Sequence, residues 1–359
     1  MNDIFARLRL IRSPNIGPVS YRQLMSRFGS AQAALAALPD LAMRGGGRFR
    51  ATPEADVDRE LTRAKALQAQ HIFLDDANYP PLLAEIDNGP AVIMVMGDIS
   101  LASRQVIAMV GARNASAAAC RFARNLAMEL GDAGVIVASG LARGIDTAAH
   151  VGSLNSGTIG VIAGGIDIAY PPENADLQRA VAEKGLLIAE MQPGTEPRAR
   201  HFPHRNRIIA GLALGTVVVE AVPKSGSFIT ARLAGEYGRE VMAVPGSPLD
   251  PRARGCNQLI REGATLVQDA TEIVELVRPL DLRMPTSKPR QASLPLDPVE
   301  AGDPERRAVT ELLSMSFVAV DELVRQSGLS SPLVQSVLLE YELAGRLERG
   351  AGAKVRLTA

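Results

Sequence analysis

From residue 105 onward the chain repeats one pattern: a short apolar run, a few small residues, then a stretch with apolar positions three or four apart. The runs are 106–110 (VIAMV), 135–137 (VIV), 158–163 (TIGVIA), 186–189 (LLIA), 216–219 (TVVV) and 241–244 (VMAV). They are short, rich in β-branched residues and apolar throughout, as strands buried on both faces must be. Between the first two, Phe122, Leu126 and Leu130 recur at helical spacing and predict a helix over about 116–132. Strand–helix alternation of this kind predicts an α/β fold, a doubly wound and mostly parallel sheet with right-handed crossovers. Two short strands, 72–74 (IFL) and 91–96 (AVIMVM), precede it, with a turn into a short helix at 79–83 (YPPLL).

The two ends of the chain are patterned differently. In residues 1–70, Pro14-Asn15-Ile16-Gly17-Pro18-Val19 makes a tight turn between two amphipathic segments. Gly29 ends the second segment and Ser30 caps an alanine-rich helix over about 31–38. Gly45-Gly46-Gly47 marks a loop before a further helix, about 54–70. A helix–hairpin–helix unit can offer backbone amides to a DNA phosphate; it can equally be a small bundle packed on other protein. Residues 280–302 carry several prolines and no periodicity, and read as a linker. Beyond it, helices over about 304–314, 321–326 and 331–344 and strands at 346–349 and 354–357 make a winged helix. Its third helix, the one placed to read DNA, offers Gln335, Ser336, Glu340 and Glu342 but no Lys or Arg, which favours protein docking or regulation. The predicted domains are therefore 1–70, 71–279 and 303–359, with 280–302 as linker.

Composition narrows the class. The chain has 359 residues, 47% of them hydrophobic, enough for two or three well-cored domains. No run approaches the ~18 apolar residues of a membrane span, and the first residues lack a signal peptide's apolar block, so we expect a cytoplasmic protein with no membrane partner. Cys120 and Cys256 are far apart and suggest no disulfide framework; the four histidines show no metal spacing, and no cofactor is implied. Net charge is zero, but residues 1–70 hold 11 basic against 6 acidic side chains, and residues 71–279 hold 18 against 22. A polyanion site on the central domain, net −4, must therefore be a local patch.

A parallel sheet brings the C-terminal loops of its strands to one edge, where such folds bind ligands. That edge gathers VGAR with Arg113, SGLARG with Ser139, Gly140 and Arg143, AGG, PKSGS with Lys224, Ser225 and Gly226, and PGS. A strand that turns through glycines into a helix leaves amides and a helix dipole to attract an anion, and Arg143 adds a fork-shaped phosphate donor. Glycines at such a turn can also serve only bending and packing. Lys224-Ser225-Gly226-Ser227 precedes a helix over about 228–237, but GxxxxGK[ST] is absent, which removes ATP hydrolysis, and GxGxxG is absent after the strands. Residues 198–207 (RARHFPHRNR) hold four arginines, Arg205 and Arg207 among them, and no acid. That density suits a chain of phosphates, or else a solvated helix entry capped by Asn206.

Together these segments resemble the DNA-processing protein A family (DprA, also called Smf) of bacterial natural transformation. The likeness rests on SGLARGIDTAAH at 139–150, FPHRNRIIAGL at 202–212, EAVPKSGSFITA at 220–231 and VPGSPLDPRARGCNQLI at 244–260. It implies an extended Rossmann fold between a SAM-like helical domain and a winged helix. It also implies a non-catalytic, homodimeric protein that binds single-stranded DNA, protects it and helps load RecA recombinase onto it. By the same likeness Arg143 and Lys224 hold backbone phosphate, with Ser139, Gly140, Ser225, Gly226, Phe228 and Asn257 in the same segments. Dimer contacts fall near 255–266, including Leu259 and Ile260. Cys256 departs from the pattern, which has a threonine beside Asn257.

A second reading is an enzyme, a nucleoside-monophosphate phosphoribohydrolase of the lysine-decarboxylase-like Rossmann group, using the same edge. That group relies on PGGxGTxxE, whereas Pro245-Gly246 here is followed by Ser247-Pro248. No acid–nucleophile pair stands out at the loops.

Overall fold

The computed structural model describes residues 3–281, 301–350 and 352–358. The expected linker at 280–302 lies, from 282 to 300, outside the described residues. The chain forms two compact units, one from residues up to Arg59 together with the C-terminal segment, the other from Glu60 to the end of the sheet region.

Three helices open the chain: α1 (Asp3–Ile11), α2 (Pro18–Phe28) and α3 (Ala31–Arg44). Pro18 sits at the first turn of α2, where its missing N–H costs nothing, and Gly29 ends that helix at φ 69° with its N–H on Met25 O. Ser30 Oγ accepts from Ala33 N at 3.2 Å, capping α3. α3 then runs past the expected end at 38, through Pro39, to Arg44. Proline removes one helical hydrogen bond, yet buried Leu38, Leu41 and Ala42 continue the apolar stripe and hold the next turn in register.

The sheet region starts after α4 (Glu54–Ala66). It runs β1 (Gln70–Phe73), α5 (Pro81–Glu85), β2 (Val92–Gly97), β3 (Val106–Gly111), α6 (Ala117–Asp132), β4 (Ile136–Ser139), α7 (Ile145–Ser153) and β5 (Thr158–Gly165). It continues with α8 (Ala175–Lys184), β6 (Leu186–Met191), α9 (His201–Leu212), β7 (Gly215–Val219), α10 (Gly226–Glu236), β8 (Glu240–Ala243), α11 (Arg254–Arg261), β9 (Thr265–Leu266) and α12 (Ala270–Asp281). The strands form one nine-stranded sheet in the order β1-β2-β6-β5-β4-β3-β7-β8-β9. The β1–β2 and β2–β6 pairs are antiparallel and the other pairs parallel. Alternate residues of β3 explain its composition. Val106, Ala108 and Val110 enter a core with Ile208, Ile209 and Leu212 of α9 and Phe228 of α10. Ile107 and Met109 enter the opposite core with Leu126 and Leu130 of α6, Ala148 and Ala149 of α7, and Ile273 of α12. The two-residue strand β9 escapes sequence reading because it is too short to show a period.

The C-terminal segment folds as α13 (Asp303–Leu312), β10 (Val318–Ala319), α14 (Val320–Ser327), α15 (Ser331–Leu343), β11 (Leu347–Gly350) and β12 (Lys354–Leu357), a winged helix. Its reading helix α15 is not free. Gln23 Nε2 donates to Gln335 Oε1 at 2.8 Å, Arg27 Nη1 to Ser336 Oγ at 3.1 Å, and Arg346 Nη1 to Gly45 O at 3.2 Å. Glu340, fully buried, accepts from Arg306 at 2.8 Å, and Glu342 accepts from Arg349 at 2.8 Å. The polar positions expected to face a partner thus face the N-terminal helices or arginines of the same segment. Packing is closest at Gly45, where a Cβ would lie 2.1 Å from Glu340 O. Gly45→Ala should therefore push α15 off α3. The expected result is faster amide hydrogen exchange in α15 and around residue 45, with the sheet region unchanged; equal protection in both proteins would refute the contact.

Candidate functional site

The edge loops converge as the topology requires, but their side chains divide into two groups. β4 runs through Ser139, whose Oγ donates to Met109 O at 2.6 Å inside the core, so Ser139 is a strand residue and not a ligand donor. Gly140 and the loop to Gly144 follow. Asp146, in the first turn of α7, turns its carboxylate back on this loop: Oδ2 accepts from Gly140 N at 3.2 Å and from Ala142 N at 3.3 Å. Ile145 N is taken by Ala112 O at 3.3 Å. Three amides expected to attract an anion are therefore occupied within the fold, and the attraction passes to side chains.

Those side chains line a shallow, open recess bounded by Arg113, Gly140, Ala142, Arg143, Tyr170, Pro171, Phe202 and Arg205. Arg113 leaves the end of β3 and its guanidinium carbon stands 5.1 Å from the centre of the Phe202 ring. Arg143 is exposed and reaches Glu173 at only 3.9 Å, a loose surface contact. Arg205 comes from beneath, on α9. Its Nη1 donates to Val161 O at 3.0 Å, while its buried Nε has no hydrogen-bond partner among the described residues. Gly140 makes room for it: a Cβ there would lie 1.5 Å from Arg205 Nη1. Burial pushes the Arg205 guanidinium down to about 10, against the opposing field of Asp146, and burial likewise raises the Asp146 carboxyl above its ordinary range.

Behind them His150 is fully buried. Thr158 Oγ1 donates to Val137 O at 3.0 Å and so accepts from His150 Nδ1–H at 2.8 Å, leaving Nε2 as an unpartnered acceptor. Burial, then the Arg205 charge, lowers this imidazole to about 3.

The arginine-rich segment divides at the start of its helix, with a solvated entry and a buried continuation, and Asn206 does not cap it. α9 begins at His201, so Asn206 lies within the helix, where its Nδ2 donates to Gly226 O at 3.2 Å. Arg198 and Arg200 are exposed; Arg207 is buried, pairs with Glu190 at 2.6 Å and donates to Asn88 O, so it braces the fold away from the recess. Lys224 is exposed at φ 65° in the loop after β7, a left-handed backbone that a non-glycine residue adopts at some strain. Ser225 caps α10, and Gly226 is exposed at its first position. Phe228 is buried under Arg232 and faces the core, and Asn257 is spent on both backbone groups of Gly246. Cys256 is buried with its thiol pushed up to about 11 by burial. Leu259, expected at a dimer contact, is instead a core residue, and Ile260 packs against the same core. Sequence reasoning did not single out Tyr170, Pro171 or Asp146. The position of 170–171 just beyond β5 was the available signal, since every parallel strand end meets this edge.

Three family descriptions match successive parts of the chain: a DprA-like N-terminal HHH domain over residues 1–63, DNA recombination-mediator protein A over 70–278, and a DprA winged helix domain over 288–353. The chain is 44% identical to the DNA processing protein DprA of Streptococcus pneumoniae over 204 residues, 56% of this chain and 72% of that one. It is 35% identical to the protein Smf of Escherichia coli over 323 residues, 88% and 85% of the two chains. Among solved structures, DprA of S. pneumoniae superposes with a TM-score of 0.59 at 38% identity, covering 62% of this chain and 78% of that one. DNA processing protein A of Helicobacter pylori, solved for its single-stranded DNA binding mode, superposes at 0.55 with 25% identity, covering 59% and 96%.

Two outcomes follow from the buried cluster. Gly140→Ala would force the Arg205 guanidinium to move and should destabilise the sheet region by about 1–3 kcal/mol, read as a lowered calorimetric midpoint. For His150 the folded pKa lies below the unfolded one, so its contribution to stability is complete above about pH 6.5 and lost as pH falls toward 3. The loss approaches about 1.4 kcal/mol per pH unit, and urea midpoints against pH should show His150→Gln lacking one proton of this dependence.

Proposed function

This chain belongs to the DNA recombination-mediator protein A family, and we propose that it binds single-stranded DNA by its phosphates along the C-terminal edge of the sheet. One observation carries the reading: three arginines, one of them buried with an unpartnered N–H, meet at one recess of a domain that is otherwise net acidic. Arg113 and Arg143 sit at the ends of neighbouring strands β3 and β4, and Lys224 follows β7 on the other side of β3. Strand spacing places those ends within about 10 Å of one another, a basic row across the sheet. The relative from H. pylori supports the choice of a single strand as ligand.

The reading extends to a homodimer that protects the strand and hands it to RecA recombinase in the cytoplasm, during recombination or natural transformation, with no chemical step of its own. No helix among the described residues is long and apolar enough to cross a membrane. Asp146 faces loop amides rather than the recess, so it is not presented as an acid or base for nucleotide hydrolysis.

Fluorescence anisotropy with labelled single- and double-stranded oligonucleotides, across a salt series, tests it. Wild type should prefer the single strand. Arg143→Ala and Lys224→Ala should each weaken binding about tenfold or more, the value of a lost charged hydrogen bond, and each should reduce the log–log salt slope by about 0.7. Salt-independent binding, or variants indistinguishable from wild type, would remove the phosphate mechanism.

A further inference from the structure

The loop after β7 is clamped from both sides. Among the described residues six other than glycine have positive φ, and two of them, Glu220 at 49° and Lys224 at 65°, fall in this one loop. Such backbone persists only where the surroundings over-determine it. On one side stands the first turn of α6. Ser116 N donates to Glu220 Oε2 at 2.8 Å and Ser116 Oγ donates to Glu220 Oε1 at 2.5 Å, while Ser116 Oγ also accepts from Ala119 N at 3.1 Å. One carboxylate thus closes the helix end and ties the loop to it. On the other side Gly255 N donates to Ala221 O at 2.7 Å, and a Cβ at Gly255 would lie 2.5 Å from that oxygen. Val222, Pro223 and Lys224 stand exposed beyond these anchors, in a turn closed by Ser225 N on Val222 O at 3.2 Å. Glu220 is nonetheless an acid at an edge that attracts a polyanion, and by charge alone it opposes a phosphate. Both its oxygens are turned on Ser116 instead, where the amides and dipole of α6 offset their charge. Ser116 lies three residues after Arg113, so the same two hydrogen bonds join the loop that carries Arg113 to the loop that carries Lys224.

We propose that Glu220 is a positioning residue for strand binding: its two-oxygen hold on Ser116 fixes the loop after β7 so that Lys224 meets the phosphates. The proposal rests on the single-strand reading above and adds to it an acidic residue on which tight binding depends. It predicts the opposite sign from electrostatics. Removing a negative charge near a polyanion strengthens binding if the charge is all that matters, whereas releasing the loop weakens it.

Full-length Glu220→Ala and Glu220→Asp are titrated with a labelled thymidine oligonucleotide across a salt series, each alone and combined with Lys224→Ala or with Arg143→Ala. Asp keeps the charge but is one methylene too short to hold both Ser116 donors, and it carries the test should the Ala variant fail to fold. Each single variant should bind about threefold to tenfold more weakly than wild type, short of the full loss of a charged hydrogen bond, with a salt slope lower by up to about 0.7. Combined with Lys224→Ala, neither should weaken binding further, because the contact it positions is already gone; combined with Arg143→Ala, the losses should multiply. Tighter or unchanged binding by the Glu220 variants, while Lys224→Ala weakens it, overturns the positioning role and leaves phosphate binding standing. A loss that persists undiminished in the Lys224→Ala background also overturns it, since the effect then does not pass through Lys224. Lys224→Ala binding like wild type overturns both readings.

Discussion

The site depends on how one positive charge is buried. Arg205 lies inside the sheet region, its charge offset through space by Asp146 and one of its N–H groups held by Val161 O. Asp146 in turn is the acceptor that folds the loop after β4, through the amides of Gly140 and Ala142. Gly140 is glycine because a guanidinium occupies the space of its side chain. A buried charge is tolerated only when such partners exist, and removing any one leaves an uncompensated group in the core. The same arrangement keeps His150 neutral and shapes the floor of the recess. Stability and ligand attraction therefore draw on the same few side chains.

The sheet order explains why the remaining cations gather at one crevice. β3 stands where the strand order reverses: β4, β5 and β6 lie on one side, β7 and β8 on the other. Loops that leave neighbouring strands at such a reversal diverge and open a crevice. Arg113, Arg143 and Lys224 come from the three strands around it, although 111 positions separate the first from the last along the chain. Among the described residues none of the three makes a close ion pair, and that availability, rather than their number, distinguishes them from Arg207.

The main strands were legible because burial on both faces leaves no ambiguity of period. What escaped was short or depended on distant partners. β9 and β10 have two residues each, and α3 passes Pro39 because its apolar stripe outlasts a single lost hydrogen bond. At the site, the loops and their edge could be read from the repeat alone, and so could the arginines as candidates. Their roles could not. Arg205 and Arg207 are two residues apart on one helix, yet one lines the recess and the other binds Glu190 and Asn88 O, a division set by neighbours 17 and 119 residues away. Phe228 and Ser139 sit in matching motifs but support the core, because a motif records which residues recur and not which way each side chain turns.

The winged helix extends this reasoning to the other unit. A helix that reads DNA needs exposed donors, and most polar side chains of α15 are engaged within their own unit: its carboxylates are held by Arg306 and Arg349, and Gln335 Oε1 and Ser336 Oγ accept from Gln23 and Arg27. Buried carboxylates paired in this way are harmful if exposed to a polyanion and costly if left unpaired in the core. Both terms favour α15 staying against the N-terminal helices. Its lack of Lys and Arg is then the composition of an internal interface. On the proposed reading, nucleic-acid binding falls instead to the sheet edge, where Arg113, Arg143 and Lys224 are exposed.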